Sequence, residues 1–269
     1  MAYRQIEYEK KGRIAVIRKN RPRYRNAQSR VMLEEIDDAF LDAGADPGIH
    51  VVILQGAGEH FSAGHDLGTP EEEEDREKRP YPEGVMGHHQ RTWDLFVDAS
   101  LRWRDLKKPT IAQVQGYCIF GGYLIASCMD LIIASEGALF LPSHLQLFTA
   151  PWDLGVRKAK AILFENRFVP AAEAHELGLV HKVVPRKDLA VETWAQAERI
   201  AENDLLFLRM LKQSINSAQD AMGYRTSVQS AHSNYMVAVS GRNVRDKDVR
   251  RLVGVGNALE KLKGNGKDE

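Results

Sequence analysis

Two glycine-bearing stretches contain the residues whose types and spacing are best suited to chemistry. In the first, Gly121 and Gly122 stand between an apolar strand pattern and a helix pattern of small and apolar residues. Glycine lets the backbone approach a ligand closely, and the first turn of a helix presents N–H groups without partners inside the helix. The second stretch, GAGEHFSAGHDL (Gly56–Leu67), also follows a strand pattern. Fixed N–H donors at two such turns favour a carbonyl group in its enolate form over the ketone.

Sequence patterns for other chemistries are missing. The chain has no G-x-S-x-G elbow, and Ser143 next to His144 is not by itself evidence of a triad. The nine histidines form no H-E-x-x-H pattern, and there is no Cys-x-x-Cys pair. Cys118 and Cys128 both lie in the apolar central stretch, which is typical of buried free thiols. We therefore expect no metal site, no disulfide and no separate cofactor.

The composition is that of an ordinary soluble protein. The 269 residues are 43% hydrophobic and 28% charged, and the formal net charge is zero. This balance gives no electrostatic reason to expect nucleic acid or an anionic membrane as a partner. The polar start and the lack of an apolar run of spanning length favour a cytoplasmic protein.

The chain that must position the two glycine turns alternates strand and helix patterns. Ser29–Ala45 has apolar residues at helical spacing behind a plausible N-cap, and Val51–Gln55 is a continuous apolar run typical of a strand covered on both faces. A strand, a helix and a second strand in this order predict a right-handed crossover in a parallel sheet. The other predicted strands are Ile6–Lys10, Ile14–Arg18, Thr110–Val114, Leu131–Ala134, Ala138–Leu141 and His181–Val184.

Helix patterns dominate the second half of the chain. Val85–Leu106 is predicted as one long helix, whereas the charged segment Thr69–Tyr81 is predicted as a mobile loop that can also cover a site. The further predicted helices are Tyr123–Ser127, Arg157–Glu165, Ala171–Leu177, Leu189–Asn203, Leu205–Ser217, Met222–Val239 and Asp246–Leu262. We place a boundary near Pro185, with a sheet-containing core at residues 1–185 and a helical segment at 186–269. The apolar faces of the late helices need cover, which packing between subunits can supply.

Four stretches in this order resemble the crotonase (enoyl-CoA hydratase/isomerase) superfamily. They are NRPRYRNAQS (Asn20–Ser29), GAGEHFSAGHDL (Gly56–Leu67), PTIAQVQGYCIFGGYLIASCMDLIIASEGALF (Pro109–Phe140) and ELGLVHKVVP (Glu176–Pro185). The resemblance implies an α/β fold, a crotonase-like spiral of ββα units with a C-terminal helical trimerisation region. It also implies a homotrimer or a hexamer built as a dimer of trimers, and an acyl-CoA thioester as substrate, with coenzyme A as part of that substrate.

By this resemblance, two backbone N–H groups polarise the thioester oxygen. The first falls on His65 and the second on Gly121. The side chain of His65 could equally face solvent or have a function. The backbone around Arg23–Arg25 and Ala63–Asp66 would approach the CoA, and the basic run that starts at Arg21 could meet its phosphates. The residues expected to bind the substrate are Arg23, Tyr24, Arg25, Ala63, Gly64, Asp66, Leu67, Phe120, Leu124 and Trp152.

Hydratases use two glutamates to bind and activate water, and this sequence differs from them at both positions. An alignment without gaps puts Leu124 and His144 at these positions, and Leu124 cannot transfer a proton. Phe120 replaces a glycine of the usual triple-glycine turn. His144 is the expected proton-transfer group, and Asp153 would fix its tautomer or take part directly. Asp153 could instead be the N-cap of the helix at Arg157 or a surface charge.

Three interpretations follow from this combination. The first is an acyl-CoA hydratase or isomerase that stabilises a thioester enolate and uses His144 and Asp153. The second is a hydrolase that cleaves carbon–carbon bonds of cyclic β-diketones, or a decarboxylase, because a His–Asp pair resembles the arrangement in such crotonase-fold hydrolases. The third is a catalytically silent acyl-CoA-binding protein, which the loss of the carboxylate at Leu124 suggests.

Overall fold

The computed structural model describes residues 3–142, 147–240 and 255–264. The strands are β1 (Ile6–Lys11), β2 (Ile14–Lys19), β3 (Val51–Gly56), β4 (Thr110–Val114), β5 (Tyr117–Ile119), β6 (Leu131–Ser135), β7 (Leu139–Leu141), β8 (Val169–Pro170) and β9 (Lys182–Val184). The helices of the first half are α1 (Arg30–Ala45), α2 (Pro70–Lys78), α3 (Gly84–Thr92), α4 (Ala99–Arg104) and α5 (Gly121–Ala126). The later helices are α6 (Ala150–Leu154), α7 (Val156–Glu165), α8 (Ala171–Glu176), α9 (Leu189–Ala201), α10 (Leu205–Ala221), α11 (Tyr224–Ser240) and α12 (Val255–Gly264).

Six strands form the main sheet in the order β1-β2-β3-β4-β6-β9. β1 and β2 are an antiparallel pair, and every other neighbouring pair is parallel. The predicted strand–helix–strand unit with parallel strands is confirmed, since α1 lies in the chain between the parallel neighbours β2 and β3. A second, smaller sheet has the order β5-β7-β8.

Helices cover both faces of the main sheet. Ala15 and Ile17 of β2 share a core with α1, whereas the alternate residues Ile14 and Val16 share a core with α9. This alternation follows from the two-residue repeat of a strand, whose successive side chains point to opposite faces. A parallel sheet buried on both sides needs continuously apolar strands, and all six residues of β3 are buried.

Two sequence predictions about the segment 69–106 need correction. Thr69–Tyr81 contains the ordered helix α2 rather than only a loop, because the buried carboxylate of Glu72 accepts hydrogen bonds from the backbone of Arg30 and from Arg76 and Arg91. The predicted helix Val85–Leu106 is α3 and α4 joined by a π-helical stretch, Trp93–Asp98.

Smaller differences concern the ends of elements. Strands β5 and β8 have only three and two residues and were not predicted. α5 starts at Gly121 rather than Tyr123, and α10 continues to Ala221. Among the described residues, no helix is long and apolar enough to cross a membrane.

Candidate active site

The loop after β3 is fastened to the strand that leads into α5. Ser62 donates its backbone N–H to the carbonyl oxygen of Tyr117 at 2.9 Å, and its own carbonyl oxygen accepts the N–H of Ile119 at 3.0 Å. These bonds form a parallel bridge between Ser62 and Cys118. The two glycine-bearing stretches of the sequence therefore lie side by side.

The backbone at Gly64 passes close to the first N–H group of α5. Gly64 has a φ of +101°, which favours glycine, and a Cβ atom there would lie 3.6 Å from the backbone nitrogen of Gly121. Gly121 is the first residue of α5, so its N–H has no partner within the helix. Because His65 directly follows Gly64, the two amides assigned to the thioester oxygen belong to adjoining pieces of backbone.

The loop that carries His65 is held by residue 28 and by the carboxylate of Asp66. Gln28 donates its N–H to the Gly64 carbonyl at 2.8 Å, and its own carbonyl accepts the N–H of Asp66 at 2.9 Å. The Asp66 carboxylate accepts from Arg21 at 2.7 Å and from the hydroxyl of Thr69 at 2.6 Å. Burial opposes the ionisation of Asp66, but its hydrogen bonds outweigh this effect and hold the pKa of the carboxyl below its usual value.

This network changes the expectation for Arg21. Its guanidinium is buried in the ion pair with Asp66, so it is not available to a CoA phosphate. The carboxylate of Asp66 is likewise occupied by its bonds to Arg21 and Thr69. Its backbone is therefore the part that could contact a substrate.

The segments expected to meet CoA are hydrogen-bonded to each other. Ala63 donates its N–H to the Arg25 carbonyl at 2.9 Å. Arg23 and Arg25 are exposed, and the Arg23 guanidinium lies 5.5 Å from the centre of the Tyr24 ring. Leu67 is 92% exposed. Basic and apolar side chains therefore surround this edge of the loop and are open to solvent.

The structure describes some, but not all, of the residues expected at the acyl end of the site. Leu124, on α5, is 1% exposed and aliphatic, so it cannot move a proton. Phe120 has a φ of 43° at the turn into α5, and its N–H donates to the Leu141 carbonyl at 2.9 Å. His144 lies outside the described residues.

Asp153 is neither a helix N-cap nor a surface charge. It lies within α6, which ends at Leu154, and Gly155 precedes α7. Its carboxylate accepts a hydrogen bond from the hydroxyl of Tyr123 at 2.9 Å. Burial disfavours the charged form and raises the pKa of Asp153 to about 6, although the hydrogen bond from Tyr123 acts in the opposite direction.

Asp153 is bonded to Tyr123 of α5 and lines a cavity with residues that follow this helix. Asp153 lines a cavity of about 780 Å³ together with Ser127 and Leu131, which follow α5, and with residues of α10. α5 has six residues and is therefore about 9 Å long, at a rise of about 1.5 Å per residue. Trp152 lines a neighbouring cavity and donates its ring N–H to Ser227 at 3.1 Å. Asp153 and Trp152 therefore both lie beside cavities next to the end of α5.

Two residues beside the amides were not found by sequence reasoning. The rings of His65 and Phe96 are 3.9 Å apart, and both nitrogens of the imidazole are buried, so the solvent-facing alternative for His65 is wrong. A Cβ atom on Gly121 would lie 2.6 Å from the Gln28 side-chain oxygen and 2.7 Å from the imidazole. Gln28 stands inside the motif NAQS, which was the one available signal, whereas Phe96 comes from a distant helix pattern.

The described residues contain no cluster of His, Cys, Asp and Glu that could hold a metal ion. The described residues bring the backbone of Gly64 close to that of Gly121, with the imidazole of His65 beside them, and pair the carboxyl of Asp153 with the phenol of Tyr123.

Comparison with known proteins identifies the family of this chain. A family model described as enoyl-CoA hydratase/isomerase matches residues 9–264. EchA13 of Mycobacterium tuberculosis, which carries the provisional name enoyl-CoA hydratase, is 39% identical over 249 residues, covering 84% of this chain and 78% of that protein. The crotonyl-CoA hydratase of Syntrophomonas wolfei is 32% identical over 243 residues, and the match covers 87% of this chain and 87% of that protein.

Solved structures agree with this match. The crystal structure of an enoyl-CoA hydratase/isomerase from Xanthobacter autotrophicus Py2 superimposes with a TM-score of 0.83 at 31% identity. The superposition covers 98% of this chain and 99% of that one. The spiral α/β architecture expected from the sequence is thereby confirmed.

Proposed function

This chain belongs to the enoyl-CoA hydratase/isomerase family, and on that premise we propose that it binds an acyl-CoA thioester with the carbonyl oxygen on the backbone N–H groups of His65 and Gly121. It is an enzyme of this family. The reaction proposed for it is hydration or isomerisation through a thioester enolate.

The close approach of the Gly64–His65 backbone to the Gly121 nitrogen is the observation that supports this proposal most directly. An enolate carries more negative charge on its oxygen than the parent thioester does, so fixed N–H donors stabilise it selectively. Loss of one such donor typically lowers the rate by about 10²–10³-fold. This magnitude is large enough to make the two amides the main source of catalysis.

Proton transfer is assigned to residues other than hydratase glutamates. His144 remains the expected group, with Asp153 as its partner. The pKa of Asp153, near 6, suits a carboxyl group that both gives and takes a proton around neutral pH. Its hydrogen bond with Tyr123, two residues after Gly121 in α5, supports a role at the acyl end of the site.

A second candidate reaction is cleavage of a carbon–carbon bond of a CoA thioester, by hydrolysis or decarboxylation. The observation that favours it is Leu124, since an aliphatic residue at this buried position cannot activate water for addition to a double bond. Decarboxylation to an enolate needs the amide donors but no carboxylate base.

A homotrimer, or a dimer of trimers, is proposed as the assembly. The support comes from α10, where five large apolar side chains are exposed. They are Leu206, Phe207, Met210, Leu211 and Ile215. A second copy of this chain is the occupant that we propose for this face.

The experiment that tests the function is incubation with a panel of enoyl-, cyclic β-diketo- and malonyl-type CoA thioesters, followed by mass and chromatographic retention. Addition of one water to a straight enoyl thioester supports hydration, and a shift in retention at constant mass supports isomerisation. Loss of carbon dioxide, or water gain only with the diketone, supports the second candidate. Binding without any change supports a silent binder and contradicts the proposed enzyme.

Two glycine variants give a matched control for the amide site. Gly121→Ala places a methyl group 2.6 Å from the Gln28 oxygen, so we expect at least about a 10²-fold loss of turnover. Gly137→Ala meets no atom within 4 Å and is expected to leave turnover unchanged. Equal turnover by the two variants would contradict the assignment of Gly121.

A further inference from the structure

Three histidines lie together where α3 packs on α11. His88 and His89 belong to α3, and His232 belongs to α11. The rings of His89 and His232 are 4.9 Å apart at an angle of 80°, and the ring of Trp93 lies 5.3 Å from that of His232. Nε2 of His88 is 3.2 Å from the hydroxyl of Tyr235. The contact between the two helices therefore contains several imidazoles, which gain a charge in mild acid.

The ring of His232 is the buried member of this cluster. His232 is 1% exposed, whereas His88 is half-buried and His89 is exposed. Nε2 of His232 lies 2.9 Å from the hydroxyl oxygen of Thr92, which is the last residue of α3. The same hydroxyl lies 2.9 Å from the His88 carbonyl oxygen. The buried imidazole of α11 is thus bonded directly to the end of α3.

Burial and positive charge both disfavour protonated rings in this contact. Burial is the larger of the causes that hold the pKa of His232 below its usual value of 6.5, and His89 and His88 act in the same direction. The pKa of His88 is lowered by burial and then by the charge of Arg91. The cluster is therefore built to be neutral.

The two helices supply no carboxylate to balance a charged ring. Neither α3 nor α11 contains an aspartate or a glutamate. The π-helical stretch carries Asp94 and Asp98, but both are exposed, and the charges that shift the pKa of His232 come from the other two histidines. Glu72 of α2 is paired with the Arg91 guanidinium at 3.2 Å. Protonation of the cluster therefore places positive charges side by side without a counter-ion.

The π-helical stretch connects this contact to the amide site. Thr92 and Trp93 both have right-handed helical backbone angles, so α3 and the stretch form one continuous helix. Phe96, one turn after Thr92, packs on the His65 ring at 3.9 Å. Turns of π-helix are rare and occur frequently at functional sites. A shift of α3 on α11 is thereby passed on to the ring that covers His65.

We propose that His88, His89 and His232 form an acid-sensitive clamp, which holds α3 and the π-helical stretch on α11 while the rings are neutral and releases them when the rings are protonated. In the released state the imidazoles are hydrated and farther apart, so their charges are better solvated and repel each other less. Because the cluster joins two helices, its release is a local opening rather than global unfolding.

The direction of the pH dependence follows from the lowered pKa values of His88 and His232. Their rings bind protons less tightly in the clamped state than in the released state, where the pKa returns to about 6.5. Below about pH 6.5 the released state therefore holds more protons, and acid favours it. The clamp has its full stability above about pH 6.5 and weakens as the pH falls below this value.

Amide hydrogen exchange of the protein without a ligand measures the clamp. Protection is taken as the intrinsic exchange rate divided by the observed rate at the same pH, which removes the pH dependence of the exchange chemistry. We expect the protection of residues 84–98 to fall by about 10-fold from pH 7.5 to pH 5.5, because a released imidazole at pH 5.5 is about ten times more often protonated than neutral. Protection of β3 and β4 is not expected to fall. Constant protection of residues 84–98 would overturn the proposal.

His232→Gln removes the titrating ring and keeps a side chain that can donate a hydrogen bond to the Thr92 hydroxyl. We expect this variant to have wild-type protection of residues 84–98 at pH 7.5 and to retain it at pH 5.5. His175→Gln, at an exposed residue of α8, is the matched control and should lose protection in acid as the wild type does. Equal losses in acid by His232→Gln and wild type would overturn the role of His232.

His88→Gln is a second variant that leaves the buried ring in place. Glutamine can keep a hydrogen bond with the Tyr235 hydroxyl but cannot be protonated. With one titrating group fewer in the contact, the loss of protection in acid should be smaller than in the wild type. An undiminished loss in this variant would overturn the part assigned to His88.

The affinity for butyryl-CoA measures the coupling to the candidate site, and this part rests on the proposed function. The CoA phosphates also titrate near pH 6, so the quantity compared is the ratio of wild-type to His232→Gln affinity at each pH. We expect a ratio of one at pH 7.5 and a fall of at least about 2-fold at pH 5.5, when the clamped, binding-competent state is about half populated. A ratio that stays at one while α3 loses protection would overturn the coupling.

The two measurements also separate this inference from the proposed function. A wild-type protein that binds no acyl-CoA at either pH contradicts the proposed function, whereas the hydrogen exchange of residues 84–98 tests the clamp without any ligand.

Discussion

The surroundings of Asp153 disfavour the ionised form of its carboxyl group. Its pKa is raised from 3.8 to about 6, because burial disfavours the charge more than the hydrogen bond from Tyr123 favours it. The unfolded carboxyl releases its proton near pH 4, so between about pH 4 and 6 the native state binds more protons than the unfolded state. Stability should therefore fall as the pH rises through this interval, by up to about 3 kcal/mol.

Asp153→Asn should remove this dependence. We expect the free energy of unfolding of the variant to lose its decline between about pH 4 and 6, and the variant to be more stable than wild type above about pH 6. Urea unfolding at several pH values measures this. Tyr123→Phe is the paired variant: it removes a hydrogen bond that lowers the pKa of Asp153, so the decline should still begin near pH 4 but extend to higher pH. Identical pH profiles for all three proteins would contradict the raised pKa.

Lys19 is a buried amine without a hydrogen-bond partner among the described residues. Its nitrogen lies 3.0 Å from the centre of the Phe61 ring. A desolvated cation over a ring gains about 2 kcal/mol, whereas removing the charge from water costs several, so burial prevails and the pKa of Lys19 lies well below its usual value.

Lys19→Met should stabilise the protein. The native amine binds its proton less tightly than the unfolded one, so wild-type stability rises as the pH approaches the unfolded pKa near 10.4. We expect the variant to gain about 2 kcal/mol at pH 7 and less at pH 9.5, as measured by urea unfolding. A variant less stable than wild type at both pH values would show that the amine makes a favourable contact that methionine cannot replace.

Glu72 determines whether α2 is a helix on the body of the protein or a loop. Its carboxylate is 1% exposed and accepts from the N–H of Arg30 at 2.8 Å, from Arg76 at 2.9 Å and from Arg91 at 3.2 Å. These donors belong to α1, α2 and the end of α3, so one carboxylate connects three helices.

Glu72→Gln should loosen α2 without unfolding the sheet. We expect faster amide hydrogen exchange in Pro70–Lys78, unchanged exchange in β3 and β4, and a loss of about 1–3 kcal/mol in stability. Glu74→Gln is the matched control, since Glu74 is exposed and solvent screens its i,i+4 pair with Lys78. Equal protection of α2 in both variants would contradict this role.

The elements that the sequence predicts well are those with a strong local period. The buried run of β3 and the amphipathic face of α1 each determine their structure within a few residues. α2 has no such face, and its order depends on Arg30 and Arg91, which come from other helices. β5 and β8 are too short for a period and exist only through pairing with β7.

The candidate site also has one part that the sequence predicts and another that depends on contacts between distant segments. The glycine turns at Gly64 and Gly121 are visible in the sequence because a positive φ at Gly64 and close neighbours around Gly121 both favour glycine. The contact of His65 with Gln28 and Phe96 depends on three segments meeting in space, and no local pattern encodes it.

The exposed apolar face of α10 should govern the assembly of the whole molecule. We expect the wild-type protein to have a native mass of three or six times 30.3 kDa by light scattering. Phe207→Asp together with Ile215→Asp should yield single chains, because buried charges at an interface are costly. Val191→Asp, at an exposed site on α9, should leave the mass unchanged. A monomeric wild type would contradict the proposed trimer.

The register of the main sheet also determines how quickly the molecule forms. Its parallel pairs join distant residues, such as Ile14 with Val51, Val52 with Thr110 and Ile133 with Lys182. High contact order slows folding, because each crossover must close before its pairing stabilises anything. Gly64 and Gly121 follow different crossovers, so the two amides can meet only after several of these closures. Recovery of acyl-CoA affinity during refolding should therefore lag behind recovery of helical circular dichroism.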